Sequence, residues 1–360
     1  MIGPIPRPGI LDISPYVGGE SQATGQPRLI RLASNEGAYG PSPQSIKAYH
    51  ALAHEIHRYP DGGSNRLCDA LSVFYGIDRQ AIVCGSGSDE ILGLIARAYA
   101  GPGDEVLYTA HGFLMYPIAA KAVGATPVAV AEMGLTADVD ALLAAVTPRT
   151  RILFLANPNN PTGSYLPRSA LQRLHAGLPR HVLLVIDAAY AEFVTAEDYT
   201  SGIDLVLSAQ NVVMTRTFSK IYALASLRLG WCFGPQEIID VLHRIRGPFN
   251  VSSPAQAAGI AALEDVDFVE RVKKNNQEIR EWFAQCLTAL GLVSYPSVGN
   301  FSLVDFRSWG DAENVRLFLK GRGILVRQMG VYNLSHCLRI TIGQKEEMDD
   351  VIQVLQEYPR

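Results

Sequence analysis

Between residues 81 and 234 the chain alternates short apolar, β-branched runs with stretches of helical period. The runs predict strands at 105–108, 126–130, 151–155, 181–186, 211–214 and 228–233. Amphipathic segments such as 137–145 and 168–176 predict helices between them. Ile152-Leu153-Phe154-Leu155 and Val182-Leu183-Leu184-Val185-Ile186 are apolar at every position, as strands covered on both faces require. The alternation predicts an α/β fold: a mostly parallel sheet with helices on both sides.

After Gly247-Pro248 the pattern changes. A long helical region, 255–290, precedes strand-like runs at 301–306, 324–327 and 338–342, with helices expected at 312–320 and 346–357. This reads as a smaller α+β unit. The Pro- and Gly-rich first forty residues read as an arm draped over the rest. The expected division is an arm over 1–41 joining the small domain, a large domain over 42–250, and a small domain over 251–360.

Ligands of an open parallel sheet gather beyond the carboxyl ends of its strands. Three polar segments stand at such ends: Asn157-Pro158-Asn159-Asn160-Pro161-Thr162-Gly163, Asp187-Ala188-Ala189-Tyr190 and Thr217-Phe218-Ser219-Lys220.

Composition narrows the class. The 360 residues carry 31 Lys and Arg against 35 Asp and Glu, a net charge of −4, which gives no reason to expect a nucleic-acid or acidic-membrane partner. With 48% hydrophobic and 18% charged residues the chain can bury a large core. No apolar run approaches the ~20 residues of a membrane span. The opening Met1–Pro8, with three prolines and no apolar stretch, is not expected to be a secretory signal. Five scattered cysteines form no Cys-x-x-Cys pair, so neither a disulfide framework nor a metal site is expected, and a cytoplasmic setting is.

Individual motifs admit two readings each. Gly85-Ser86-Gly87-Ser88-Asp89-Glu90 leads from a strand-like run into a helix; it is either an anion-binding helix start or an ordinary capped one. It lacks the third glycine of a dinucleotide fingerprint and the Gly-Lys-Ser/Thr of a P-loop. His50, His54 and His57 fall short of the zinc-binding His-Glu-x-x-His spacing and read as a solvated helix face. Asp187, after five apolar residues, is a helix cap, a partner for a structural arginine, or the counter-charge of a ligand cation. Lys220, between Phe218 and Ile221, is a surface lysine or an amine freed by an apolar setting for attack on a carbonyl. Arg228 starts a strand or clamps a phosphate.

Their joint order is more informative than any one of them. Asn-Pro-Asn-Asn-Pro-Thr-Gly, then Asp-x-x-Tyr, then Ser-Lys with Arg eight positions on, resembles the fold-type-I pyridoxal-phosphate aminotransferases over essentially the whole chain. Within them the chain resembles the histidinol-phosphate aminotransferases. This rests on Ser14-Pro15-Tyr16-Val17, Leu32-Ala33-Ser34-Asn35-Glu36, Arg58-Tyr59-Pro60-Asp61, Arg216–Lys220, Leu227-Arg228-Leu229-Gly230, Ile324–Arg327 and Cys337–Thr341.

The resemblance implies a seven-stranded sheet in the large domain, pyridoxal 5'-phosphate as cofactor, and transamination between histidinol phosphate and 2-oxoglutarate, giving glutamate. It implies that Lys220 carries the cofactor and moves the proton, and that Asp187 pairs with the ring nitrogen. Tyr190 and Asn160 would hold the ring oxygen, and Phe113 would stack on the ring. The backbone amides of Ser88 and Asp89, with Thr217, Ser219 and Arg228, would hold the phosphate, with Tyr59 reaching it from the second subunit of a homodimer. Arg327 and Arg339, with Tyr16 and Asn35, would receive the substrate. Against the commoner family pattern, Gly37-Ala38, His111-Gly112-Phe113, Ala188 and Gln328 are departures that bear on pocket shape. They leave open an aromatic amino-acid or prephenate aminotransferase, or a decarboxylase of a phosphorylated amino acid. A transcription regulator would need a DNA-binding module for which the arm has no basic helix.

Overall fold

The computed structural model describes residues 3–22 and 28–359; residues 1–2 and 23–27 of the expected arm lie outside them. The central sheet has seven strands in the order Ile82–Gly85, Gly230–Phe233, Val212–Thr217, Leu183–Asp187, Thr150–Ala156, Glu105–Thr109 and Thr126–Val130. Only Gly230–Phe233 runs against its neighbours; the other pairings among the last five strands are parallel. Every residue of Leu183–Asp187 and Val212–Thr217 is buried, which explains their unbroken apolar character up to the polar exit. Helices cover both faces, with separate apolar clusters beneath them.

The second sheet has five strands in the order Ile30–Leu32, Ile324–Gln328, Cys337–Thr341, Phe301–Asp305 and Val293–Tyr295. Its edge strand comes from the arm: Ile30–Leu32 pairs in parallel with Ile324–Val326. The arm is thereby fastened to the small unit by main-chain hydrogen bonds and by burial of Ile30 and Leu32 in that unit's core.

The expected single helical region over 255–290 is two helices, Ser253–Glu264 and Val266–Ala289, broken at Asp265 (φ −89°, ψ 60°). Ser252 caps the first through the amide of Ala255 at 3.3 Å. This first helix packs its alanines among Leu67 and Leu71 in the core of the large unit. Within Val266–Ala289, Phe268 and Val272 join that core, whereas Ile279, Phe283 and Leu287 join the small one. The change of core falls inside this helix.

The helix bearing His50 is Pro43–Ala51, so His54 and His57 lie in turns beyond its end rather than on a helix face; all three side chains are exposed. Among the described residues no helix is long and apolar enough to cross a membrane.

Candidate active site

Beyond the carboxyl ends of the parallel strands, between the two sheets, lies a cavity of about 350 Å³. Every site residue expected from the sequence lines it except Tyr59. Tyr59 is 82% exposed and stacks on Phe249 with ring centroids 4.6 Å apart, outside the cavity.

Asp187 closes the floor. As the last residue of the buried central strand it has lost its hydration, and this burial pushes its carboxyl up to about 6. Two donors oppose that shift: Tyr116 Oη donates to Oδ2 at 2.9 Å, and Thr215 Oγ1 donates to Oδ1 at 3.1 Å. Neither Tyr116 nor Thr215 was singled out by the sequence reading. A carboxylate so placed lacks one thing, a cation, and a protonated ring nitrogen would supply it.

Lys220 follows the neighbouring strand. Its half-buried amine donates to the carbonyl of Ser34 at 3.3 Å and lies 5.7 Å from the Tyr190 ring centre. Burial first, then the charges of Arg339 and Arg228, lower it to about 8, so roughly a tenth is uncharged at pH 7, far more than for an ordinary lysine. That is the state a lysine needs to form a bond to a carbonyl carbon.

At one end of the cavity the chain forms an anion cradle. Gly87 (φ 86°) precedes the helix Ser88–Tyr99, and no side chain caps that helix start. A Cβ on Gly87 would stand 2.2 Å from Arg228 Nη2, and one on Gly230 would stand 2.3 Å from the Ser88 amide nitrogen. Only glycines allow backbone amides and a guanidinium to converge so closely. Arg228, itself left-handed at φ 50°, donates to Asp89 Oδ1 at 2.5 Å and to the Ala225 carbonyl at 3.0 Å, with Ser219 Oγ at 3.4 Å. A phosphate fits this donor set.

At the other end, Arg327 and Arg339 are direct register partners on adjacent antiparallel strands. Like charges facing each other across a strand pair are unfavourable without an anion between them. Arg327 donates to the Val17 carbonyl of the arm. Arg339 is buried and donates to Asn160 Oδ1 and, at 2.8 Å, to the Ala33 carbonyl, while its Nε has no partner.

Asn35, expected to line the substrate pocket, does so, but its side-chain amide is committed to Tyr190 Oη at 2.9 Å. Its Oδ1 accepts from Thr341, and its positive φ of 53° turns it inward. Phe113 meets Tyr16 and Tyr116 edge-on, at 6.3 and 6.0 Å between centroids. Its loop is held by Glu132, which accepts from both the amide and the ring Nδ1 of His111 at 3.1 and 2.8 Å. In the small sheet, Asp305, His336 and Cys337 offer ligand atoms within 4.8 Å of one another, but Arg307 and Tyr295 already occupy the carboxylate.

The family described as "Aminotransferase class I and II" matches residues 27–355. A histidinol-phosphate aminotransferase of Rhodospirillum centenum is 62% identical over 359 residues, 99% of each chain. That of Paramagnetospirillum magneticum is 58% identical over 360 residues, again 99% of each. The crystal structure of histidinol-phosphate aminotransferase from Sinorhizobium meliloti, in complex with pyridoxal-5'-phosphate, superposes with a TM-score of 0.89 at 30% identity, covering 98% of both chains. The cavity described above and these likenesses agree: the chain belongs to the class I and II aminotransferases, among the histidinol-phosphate aminotransferases.

Proposed function

We propose that this protein transfers the amino group of histidinol phosphate to 2-oxoglutarate, giving imidazole-acetol phosphate and glutamate, with pyridoxal 5'-phosphate as cofactor. The observation that carries it is one cavity holding a lysine amine of lowered basicity and a buried carboxylate between two separate cationic ends. The names of the relatives supply the substrate and do not favour the aromatic or decarboxylase alternatives.

The cofactor, when bound, supplies an aldehyde that couples to amines and a cationic ring that draws electrons from the carbon bearing the amine. Lys220 holds the aldehyde end and moves a proton at the substrate α-carbon. Asp187 would receive the ring nitrogen, Phe113 would stack on the ring, and Asn160 and Tyr190 would hold the ring oxygen. The backbone amides of Ser88 and Asp89, with Thr217, Ser219 and Arg228, would hold the phosphate. Arg327 and Arg339 receive the substrate's anionic group, phosphate in one half-reaction and carboxylate in the other, with Tyr16 and Asn35 beside them.

Tyr59 serves the phosphate of a second copy in a homodimer. The exposure of Ile46, Tyr49, Ile56 and Tyr59 within one stretch of chain, with Phe249 stacked alongside Tyr59, supports an apolar face that a second copy covers. The five free thiols fit a reducing cytoplasm.

The test is a half-reaction. Histidinol phosphate added to the yellow holoenzyme without a keto acid should bleach the visible band, and 2-oxoglutarate should restore it. Bleaching by phenylalanine but not by histidinol phosphate would overturn the substrate assignment.

A further inference from the structure

The sulfurs of Cys68 and Cys84 lie 3.8 Å apart, both side chains buried. Cys68 sits on the helix Asn65–Tyr75, whose start is tied to the loop after Tyr59: the Asp61 carboxylate accepts from the amides of Gly63 at 2.9 Å and Asn65 at 2.6 Å. Cys84 sits in the strand Ile82–Gly85, which runs straight into the cradle at Gly87 and Ser88. The thiol pair thus joins the strand that leads into this chain's own phosphate cradle to the helix that follows the Tyr59 loop.

Cys68 also borders an open cavity of about 440 Å³ that shares no lining residue with the active-site cavity. Arg79 and Arg246 line it as well, together with Asp240 and His243, whose imidazole is shifted downward by burial and by Arg246, so two guanidinium groups stand in the cavity that the sulfur borders. The two thiols are unequal. The hydrogen bond from Cys84 first, with Arg79 assisting, draws the Cys68 thiol below its ordinary range, while the same contact and burial push Cys84 well above it. Cys232, Cys286 and Cys337 are all shifted upward by burial. A thiol of lowered pKa at the edge of a cavity, touching a second thiol, is the arrangement of a peroxide-sensitive pair.

We propose that Cys68 and Cys84 form a redox site: peroxide converts them to a disulfide, and this loosens the grip of the neighbouring loop on the cofactor phosphate. The second half rests on the reading of Gly87 to Asp89 as the phosphate cradle. In the first step the Cys68 sulfur attacks a peroxide oxygen, the O–O bond breaks, and a sulfenic acid and one water form. The Cys84 sulfur then attacks Cys68, the S–O bond breaks, and the hydroxyl leaves with the Cys84 proton as a second water. Two thiols are oxidised by two electrons and the peroxide is reduced by two. Closing the gap to the roughly 2.05 Å of a disulfide bond draws the strand Ile82–Gly85 toward the helix, and the cradle moves with it.

The experiment treats holoenzyme with hydrogen peroxide, blocks the remaining thiols, and maps peptides without reductant. Cofactor dissociation is then followed by loss of the visible band on dilution. The expected result is a Cys68–Cys84 linked peptide and a dissociation constant raised severalfold, both reversed by dithiothreitol. Cys68→Ser should hold the cofactor normally and resist peroxide, and Cys84→Ala serves as the second variant. No linked peptide from folded protein, or a linked peptide with unchanged cofactor affinity, overturns the inference. Reduced protein that never binds the cofactor faults the cradle reading instead, and the peptide map still judges the thiol pair.

Discussion

The phenol of Tyr116 and the carboxylate of Asp187, 71 residues apart in sequence, share a 2.9 Å hydrogen bond in a fully enclosed position. It links the helix Met115–Ala122, which follows the loop of Phe113, to the end of the central strand. Tyr116 is itself fixed by stacking on Phe154, ring planes 8° apart. The group expected to meet the cofactor nitrogen is therefore aimed from behind.

Tyr116→Phe removes a donor to a charged acceptor, an interaction of about 1.5–3 kcal/mol. The Asp187 carboxyl moves further upward, and cofactor affinity at neutral pH should fall at least about tenfold. Absorbance titration of the variant with pyridoxal phosphate measures this. An unchanged dissociation constant would remove Tyr116 from the positioning role.

Asp187 also dictates a pH dependence. Its folded value of about 6 exceeds the ordinary 3.8, so between those values the folded chain binds more protons than the unfolded one. Its contribution to the stability of cofactor-free protein therefore diminishes as pH rises from about 4 through about 6 and stays diminished above. Asp187→Asn should cancel this dependence, raising cofactor-free stability at neutral pH by up to roughly 3 kcal/mol, while weakening cofactor binding. Denaturant unfolding of both proteins on either side of pH ~6 checks the sign.

Gly230→Ala and Gly93→Ala should behave in opposite ways. A methyl at Gly230 meets Ser88 N at 2.3 Å and the Gly87 carbonyl carbon at 2.6 Å, both backbone atoms. It should cost about 1–3 kcal/mol and degrade cofactor binding. A methyl at Gly93, on the same helix Ser88–Tyr99, meets nothing within 4 Å and should stabilise by roughly 0.5–1 kcal/mol. Thermal melts of the two variants separate the cases.

Arg216, on the strand that ends at Thr217, and Glu192, just after Tyr190, form a buried ion pair at 2.7 Å through Glu192 Oε1, while Oε2 has no hydrogen-bond partner. Arg216→Met leaves the carboxylate buried alone and should cost about 3–5 kcal/mol. Adding Glu192→Gln should recover much of that loss in a double-mutant cycle.

The large sheet was legible because its strands are uniformly apolar and end in unusual polar runs, so Asp187, Lys220 and Asn160 announced themselves by position. Arg228 was legible as a residue type, but its left-handed turn before the strand Gly230–Phe233 was not. Three-residue strands escaped notice: Ile30–Leu32 exists only through pairing with a segment nearly 300 residues away, and half-exposed Val293–Tyr295 has no marked periodicity. The helix break at Asp265 carries neither Gly nor Pro. Tyr116, Thr215 and Glu132 were invisible for a different reason. Each acts by supporting another residue brought near by folding, and nothing in its local sequence distinguishes it from a core or surface residue.

Everything in the proposed chemistry depends on the amine at 220 being the one that carries the cofactor. Its lowered basicity predicts that capture of pyridoxal phosphate by cofactor-free protein rises through a midpoint near pH 8, where surface lysines are still almost fully charged. Borohydride reduction followed by peptide mapping reads the site directly. The expected product is a stable phosphopyridoxyl group on Lys220 alone, appearing with that midpoint; the same group on any other amine, with Lys220 unmodified, would overturn the assignment.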